Sequence, residues 1–440
     1  MLLTILALPA ALVIWTAYSL SQQVAKAKTI GLPYLVRWIS PINPFWLLYG
    51  SSIVRLCERL GIATENLSRI YSYGWEANER ANLHLDYGSA VLVVHPAGIT
   101  LCLSDASAIR DILKRRTDFR RNMEEFAVLN VYGKNLSTTD DQEWQRHRKM
   151  TAVTFTEKNN ELVWQRSLEQ AKGMLDYWTQ QKEPITSTHE DTKIFTLNVL
   201  AAALFNRVYP FEGHGHANAL RDLDDKSLEY RESLSIILKS IIQIFVFGEK
   251  GLRSWWTPKS WKQAADAMVT FRSYILGLMN EERESVKAGK PKNQHLVARL
   301  VDACEESPMH SADTNSDAEG GPRKMTLTEE EIVSNLFLYA FAGNDTTSIT
   351  LFNIIIHLAA HPETQNWISE ELKYFIPSSM NPTNWPYHLY PSLDRVSAVI
   401  VSIPPSFSRS IINHASRWRV CGYAIHSPNS SKQPEIRLKL

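Results

Sequence analysis

Cysteine is scarce in this chain. The 440 residues hold four, at positions 57, 102, 304 and 421, and no two form a Cys-x-x-Cys pair. Neither a disulfide framework nor a zinc site is therefore indicated, and a reducing compartment fits. Charge of one sign is lacking as well. A formal net charge of +1, without a clustered basic face interleaved with aromatics, gives no electrostatic case for nucleic-acid binding. No internal repeat recurs, which excludes solenoids and propellers. Charged residues are missing altogether from Met1 to Leu20, where Leu, Ala, Ile and Val dominate. A run of about 20 apolar residues is what about 30 Å of hydrocarbon requires. A cleaved signal peptide carries its basic residues before a shorter apolar core, whereas Lys26 and Lys28 follow the run. The expectation is a retained transmembrane anchor over 1–22, with Pro9 at a kink and the body held cytosolic by the lysines.

What is present is enough apolar material, 44% hydrophobic and 10% aromatic, to bury one large core or two ordinary ones. Residues 23–50, punctuated by Pro33, Pro41 and Pro44 and rich in aromatics, read as a linker near the membrane interface. The body spans 51–400. It is mainly helical with a small β patch: Ala90 to Pro96 and Gly98 to Leu103 form two short strands across a turn. Helical spacing recurs over 142–151, 158–181, 191–207, 217–246, 259–288 and 294–305. Residues 306–324 have no periodicity and little to bury, so they read as a flexible, solvated loop. Residues 401–440, rich in Ser, Pro and Asn, read as an aberrant tail without order.

The longest apolar helix is the most informative. Thr328 and Glu331 have the form of a capping box, and apolar residues then recur at three- and four-residue spacing up to His361-Pro362. That makes about 30 residues, or roughly 45 Å, enough to cross a domain. Ala342-Gly-Asn-Asp-Thr-Thr347 sits in its middle and puts polar groups where packing alone would not. Gly343 costs on the order of 1 kcal/mol relative to alanine, and Asp345 brings a charge to an apolar element. One reading is a groove where another body approaches the backbone, with an acid and a hydroxyl beside it. The other is a helix crossing, with Gly343 giving close contact and the threonines bonded back to the preceding turn.

A second motif lies at 132–155. Trp144 and Arg148 are four apart and share a helix face, with Arg146, His147 and Lys149 around them. An indole N–H and a guanidinium aimed together form a donor pair for a carboxylate or phosphate. The alternative is a solvated basic helix end with Trp144 packed inward.

Trp-x-x-x-Arg at 144–148, Ala-Gly-x-Asp-Thr-Thr at 342–347, an N-terminal apolar run and a proline-rich linker together resemble a microsomal cytochrome P-450, a haem-thiolate monooxygenase. The resemblance covers residues 1 to about 400 and implies the fold of that family, incomplete at the C-terminus, with an N-terminal transmembrane helix. It implies haem b, with Trp144 and Arg148 holding a propionate and Ala342 and Gly343 lining the groove above the porphyrin. Asp345 and Thr346 would relay protons to the dioxygen side of the haem, and Thr347 would be structural. The implied partners are an NADPH-dependent cytochrome reductase, a lipid bilayer and an apolar small-molecule substrate of medium size, in secondary metabolism. The implied location is the endoplasmic reticulum membrane, single-pass. The substrate would lie among loops such as 121–130 and 225–250, with Phe126, Val128, Leu129, Ile236, Ile237 and Phe245 as an apolar lining.

Two family elements are missing from the sequence. No Glu-x-x-Arg occurs in Tyr390 to Ile400 or beyond, and Glu143 to Arg146 matches that spacing only incidentally. The cysteine loop that supplies the thiolate is not recognisable either. Cys421, in Arg417-Trp-Arg-Val-Cys-Gly, keeps only two letters of it, so no metal ligand is assigned. The alternative expectation is thus a truncated or mis-framed homologue that is catalytically inactive.

Overall fold

The computed structural model describes the backbone of residues 2–62, 65–71, 75–79, 81–115, 118–152, 155–181, 184–214, 225–289, 295–305, 327–377 and 379–402. The loop read at 306–324, Cys421 and the tail from 403 onward lie outside the described residues. The described chain forms two compact units, Met1–Asn122 and Met123–Pro404.

The first unit contains α1 (Leu2–Ile30), α2 (Pro44–Arg59), α3 (Glu65–Ile70), α4 (Trp75–Glu79), α5 (Asn82–Tyr87) and α6 (Ala106–Lys114). Its sheet runs in the order β1 (Tyr34–Val36), β2 (Ala90–His95), β3 (Gly98–Leu103). The expected pair is present: β2 and β3 are antiparallel from Ala90 opposite Leu103 to His95 opposite Gly98. A parallel third strand, β1, joins β2 from within the stretch read as linker. Three residues are too few for a strand period to show in sequence.

The near-continuous apolar run of β2 follows from cover on both its faces. Leu92 and Val94 pack with Leu20 and Ala27 of α1, while Val91 and Val93 join Trp46, Val54, Ile70, Tyr71 and Trp75. Arg37 is buried at the edge of this core, where Nη1 donates to Ile70 O at 2.8 Å and Nε to Ile39 O at 2.9 Å. The transmembrane anchor expected at 1–22 is not visible as such. Among the described residues no helix is long and apolar enough to cross a membrane. The side chains of residues 1–10 lie outside the described set, and beyond them α1 runs on past Lys26 and Lys28 while Ser19 Oγ donates to Pro96 O.

The second unit is helical: α7 (Met123–Phe126), α8 (Asp141–Ala152), α9 (Glu157–Thr179), α10 (Thr188–Phe205), α11 (Asp225–Lys239), α12 (Ile241–Leu252), α13 (Lys259–Lys287), α14 (Leu296–Glu305), α15 (Glu329–Ala360), α16 (Pro362–Phe375) and α17 (Asp394–Ser402). Within its described part, 225–246, the single helical pattern read at 217–246 is two helices divided at Ser240, and Gly248 (φ +60°) kinks the second. Leu234, Ile237, Leu238, Ile241 and Ile244 keep three- and four-residue spacing across the break, so periodicity did not mark it. α15 begins at the anticipated capping box: Thr328 Oγ1 accepts the Glu331 amide at 3.2 Å, and the Glu331 carboxylate accepts the Thr328 amide at 2.9 Å. From Ile332 to Leu338 it is buried on all sides.

The core around that buried stretch is aromatic. Phe271 of α13 stacks on Tyr132 (5.7 Å) and Tyr230 (6.0 Å) and meets Phe337 of α15 edge-on at 5.7 Å. At the far end, α17 is tied to α16: the Glu371 carboxylate accepts the Arg395 and Val396 amides, and Arg395 Nη1 donates to Trp367 O at 2.6 Å. Because Phe271 touches three other rings and is fully buried, Phe271→Ala should lower the unfolding free energy by about 3–5 kcal/mol. A fall in the urea midpoint with little change in slope is the expected observation.

Candidate functional site

α15 changes character at its middle. After seven residues buried all round, Ala342, Thr346 and Thr350 are exposed at successive four-residue intervals, with Thr347 exposed beside them, so that an open strip runs along the middle of the helix. The two threonines on it are turned back to the helix: Thr346 Oγ1 donates to Ala342 O at 2.6 Å and Thr350 Oγ1 to Thr346 O at 2.8 Å. Asp345, read from sequence as a buried acid, is half-buried beside the strip.

Gly343 looks the other way. A Cβ built on it would stand 2.8 Å from Leu200 Cδ2 of α10, so the geometry here is that of the helix-crossing alternative. Next to it Asn344 is buried, and its Oδ1 accepts Thr196 Oγ1 of α10 at 2.7 Å. The same hexapeptide thus uses Gly343 and Asn344 to seat α10 and leaves Ala342 and Thr346 open.

On α8, Arg148 is exposed with its guanidinium 6.0 Å from the centre of the half-buried Trp144 ring. The expected donor pair is therefore on one face. The neighbouring face of α8 is occupied by a polar seam that the sequence reading missed. Both terminal guanidinium nitrogens of Arg146 donate to the Glu331 carboxylate, Nη2 at 2.5 and Nη1 at 2.7 Å. His147, fully buried, accepts at Nδ1 from Asn335 Nδ2 at 2.8 Å. One turn on, Thr151 shares a hydrogen bond with Tyr339. Glu331, Asn335 and Tyr339 stand at four-residue spacing on α15 and lead directly to Ala342. Their signal was legible: Ser334 and Asn335 are polar residues inside an apolar helix, and Arg146 belongs to the pair set aside as incidental.

The loop before α8 is drawn into the same network. Asn335 Oδ1 accepts the Leu136 amide at 3.0 Å, Ser334 Oγ donates to Gly133 O at 2.7 Å, and Asn135 Nδ2 reaches Leu129 O at 3.0 Å. Electrostatics follow from this packing. Burial would raise the Glu331 carboxyl, but hydrogen bonds from Arg146 and the Thr328 amide and the Arg146 charge outweigh it and hold it at about 2. Burial pushes His147 below the ordinary imidazole value against the pull of Glu331. A cavity of about 550 Å³ opens among Val131, Tyr132, Glu249, Met268, Arg272 and Glu330. None of the six apolar residues anticipated for the substrate lining borders it.

A sequence model described as Cytochrome P450 matches residues 76–394. The chain belongs to the cytochrome P450 family. It is 26% identical over 405 residues to a cytochrome P450 monooxygenase of Arthrobotrys oligospora, covering 88% of this chain and 66% of that protein. It is 23% identical over 386 residues to the phomenoic acid biosynthesis cluster cytochrome P450 monooxygenase of Leptosphaeria maculans, covering 82% and 63%. The chain thus spans less than two-thirds of either relative. A zebrafish cytochrome P450 solved with progesterone superposes with a TM-score of 0.55 at 18% identity, over 74% of this chain and 70% of that one, which shows the shared fold.

Haem is the cofactor of this family, and two features here fit it. The open Ala342–Thr346–Thr350 strip provides a narrow surface free of bulky side chains, and the exposed Arg148 cation beside Trp144 suits a carboxylate. Among the described residues no thiolate can be assigned. Cys57 and Cys102 belong to the first unit, and Cys421 and the Cys304 side chain lie outside the described set. The expectation of an inactive homologue finds no support in the fold or the relatives.

Glu331 provides a test of the seam. Its folded-state value of about 2 lies below the ordinary 4.5, so its contribution to stability is complete above 4.5 and is lost as pH falls towards 2. Glu331→Gln should be less stable than the parent at neutral pH, and the two should converge near pH 2 in thermal melts.

Proposed function

We propose that the chain acts as a membrane-attached, haem-dependent monooxygenase that inserts one oxygen atom from dioxygen into an apolar substrate of medium size. The observation that carries this reading is the open strip on α15, with the Thr346 hydroxyl on the Ala342 carbonyl, next to the helix that bears Trp144 and Arg148. Haem, when bound, supplies the chemistry of dioxygen activation. The chain's own residues do the rest. Trp144 and Arg148 hold a propionate through N–H donors. Ala342 keeps the surface above the ring low. Thr346 holds a proton at Oγ1 within reach of that surface, and Asp345, half-buried beside it, passes protons from solvent.

Secondary metabolism is the proposed setting, in keeping with the biosynthesis-cluster name of the Leptosphaeria maculans relative. Attachment to the endoplasmic reticulum membrane through the N-terminal helix is proposed on two grounds. One is the uncharged run to Leu20, and the other is the exposure of Leu12, Val13, Ile14, Trp15 and Tyr18, each more than half open. An NADPH-dependent cytochrome reductase is the proposed electron donor.

Two substitutions separate holding from proton delivery. Arg148→Ala should weaken haem retention by about ten- to a hundredfold, the loss of one charge-assisted hydrogen bond, as measured by Soret titration. Thr346→Ala should leave haem affinity unchanged and lower product formed per dioxygen consumed by about tenfold or more. Full coupling in Thr346→Ala would refute the proton role, and undiminished haem affinity in Arg148→Ala would refute the propionate role.

A further inference from the structure

The one buried histidine in the α8–α15 seam is held in a single protonation state by its neighbours. Asn335 is completely committed: its Nδ2 donates to Glu331 O at 2.6 Å and to His147 Nδ1 at 2.8 Å, while its Oδ1 accepts the Leu136 amide at 3.0 Å. The amide cannot be turned over without setting its N–H against the Leu136 N–H, so the donor to His147 is fixed. His147 Nδ1 must therefore be an acceptor, and the ring proton resides on Nε2. That atom is buried, without a hydrogen-bond partner, and 3.5 Å from Glu331 Oε1.

We propose that His147 is a proton-released latch that positions α8 against α15, and with α8 the Trp144–Arg148 pair, closing only while its Nδ1 is unprotonated. A proton arriving at Nδ1 would set two donors against each other, His147 N–H and Asn335 N–H, and break the side-chain bond that joins α8 to Asn335, leaving the Arg146 and Thr151 side chains of α8 bonded to α15. The latch rests on the reading of α8 as the helix that holds a haem carboxylate, for which Arg148 is the contact and His147 a positioning residue.

Every charged group bearing on the ring is accounted for. Glu331 of α15 and Glu143 of α8 favour its protonation, whereas Arg146 of α8 and burial oppose it. Burial prevails, so at neutral pH the latch is closed. The unfolded chain takes up the proton at the ordinary value of 6.5 and the folded chain only below it. The latch therefore contributes fully above 6.5 and is lost as pH falls below it. That loss sets in at a higher pH than the Glu331 step, which begins near 4.5. His295, the other buried histidine with a lowered value, pairs with Glu282 at 2.9 Å and is the control for acid effects arising elsewhere.

The test is hydrogen–deuterium exchange of the full chain without added haem at pH 8 and pH 5, corrected for intrinsic rates. It follows peptides from α8 and the first turns of α15. In the parent protein, exchange there should rise at pH 5. His147→Asn keeps an acceptor at the position of Nδ1 but cannot titrate, so its exchange should stay slow at both pH values. His147→Leu leaves the Asn335 donor without a partner and should exchange about ten- to a hundredfold faster at both. Should the leucine variant fail to fold, the asparagine variant decides alone: a pH step as large as the parent's would overturn the latch and point to His295.

Positioning is read separately, by hemin affinity at pH 8. His147→Leu should lose affinity and His147→Asn should restore it, with Arg148→Ala as reference. Loss in Arg148→Ala without loss in His147→Leu would overturn the positioning role. If Arg148→Ala itself binds hemin as the parent does, the reading of α8 as the cofactor-holding helix fails instead.

Discussion

The Glu331 carboxylate is the group on which the second unit turns. It closes the capping box of the 32-residue α15, takes both terminal nitrogens of Arg146, and stands beside the buried ring of His147. These duties reinforce one another. Capping fixes the carboxylate at the helix start, where the positive end of the helix dipole favours it, and a fixed carboxylate makes a bidentate partner for Arg146 without further loss of side-chain freedom. Because α8 is gripped here, at Asn335 and at Tyr339, its rotation about its own axis is determined, and the direction of Trp144 and Arg148 follows from it.

The central helix was legible in the sequence down to its capping box, because an apolar period sustained over nine turns and ended by His361-Pro362 leaves little alternative. The same holds for the β2–β3 pair, whose strands are short but flanked by a turn. β1 was not legible, since Tyr34–Val36 becomes a strand only through pairing with β2. Nor was the division of α11 from α12, where hydrophobicity runs through the break. Local spacing informs on periodic elements; partnerships between distant segments are set by tertiary contact.

The site divides along the same line. Arg148 and Trp144 share a face because four residues separate them, and Ala342 and Thr346 do so for the same reason. The seam could not be read in that way. Arg146 meets Glu331 and His147 meets Asn335 across 185 and 188 positions of sequence. Gly343 shows the limit most clearly: a glycine in a helix announces a close approach, but only the fold identifies Leu200 as what approaches.

The open strip of α15 has a geometric meaning of its own. Ala342, Thr346 and Thr350 rise one above another over eight residues, about 12 Å of helix, and none carries a side chain beyond the γ position. Two of the three hydroxyl or methyl surfaces are pinned by bonds to carbonyls one turn below. Such a strip behaves as a planed ledge: it is low along its whole length, and at the two threonines its height does not vary with rotamer. Whatever lies along it meets a fixed clearance, so a single added methyl group at any of these positions would act as a step in the ledge and would tilt, rather than merely crowd, a flat body resting there.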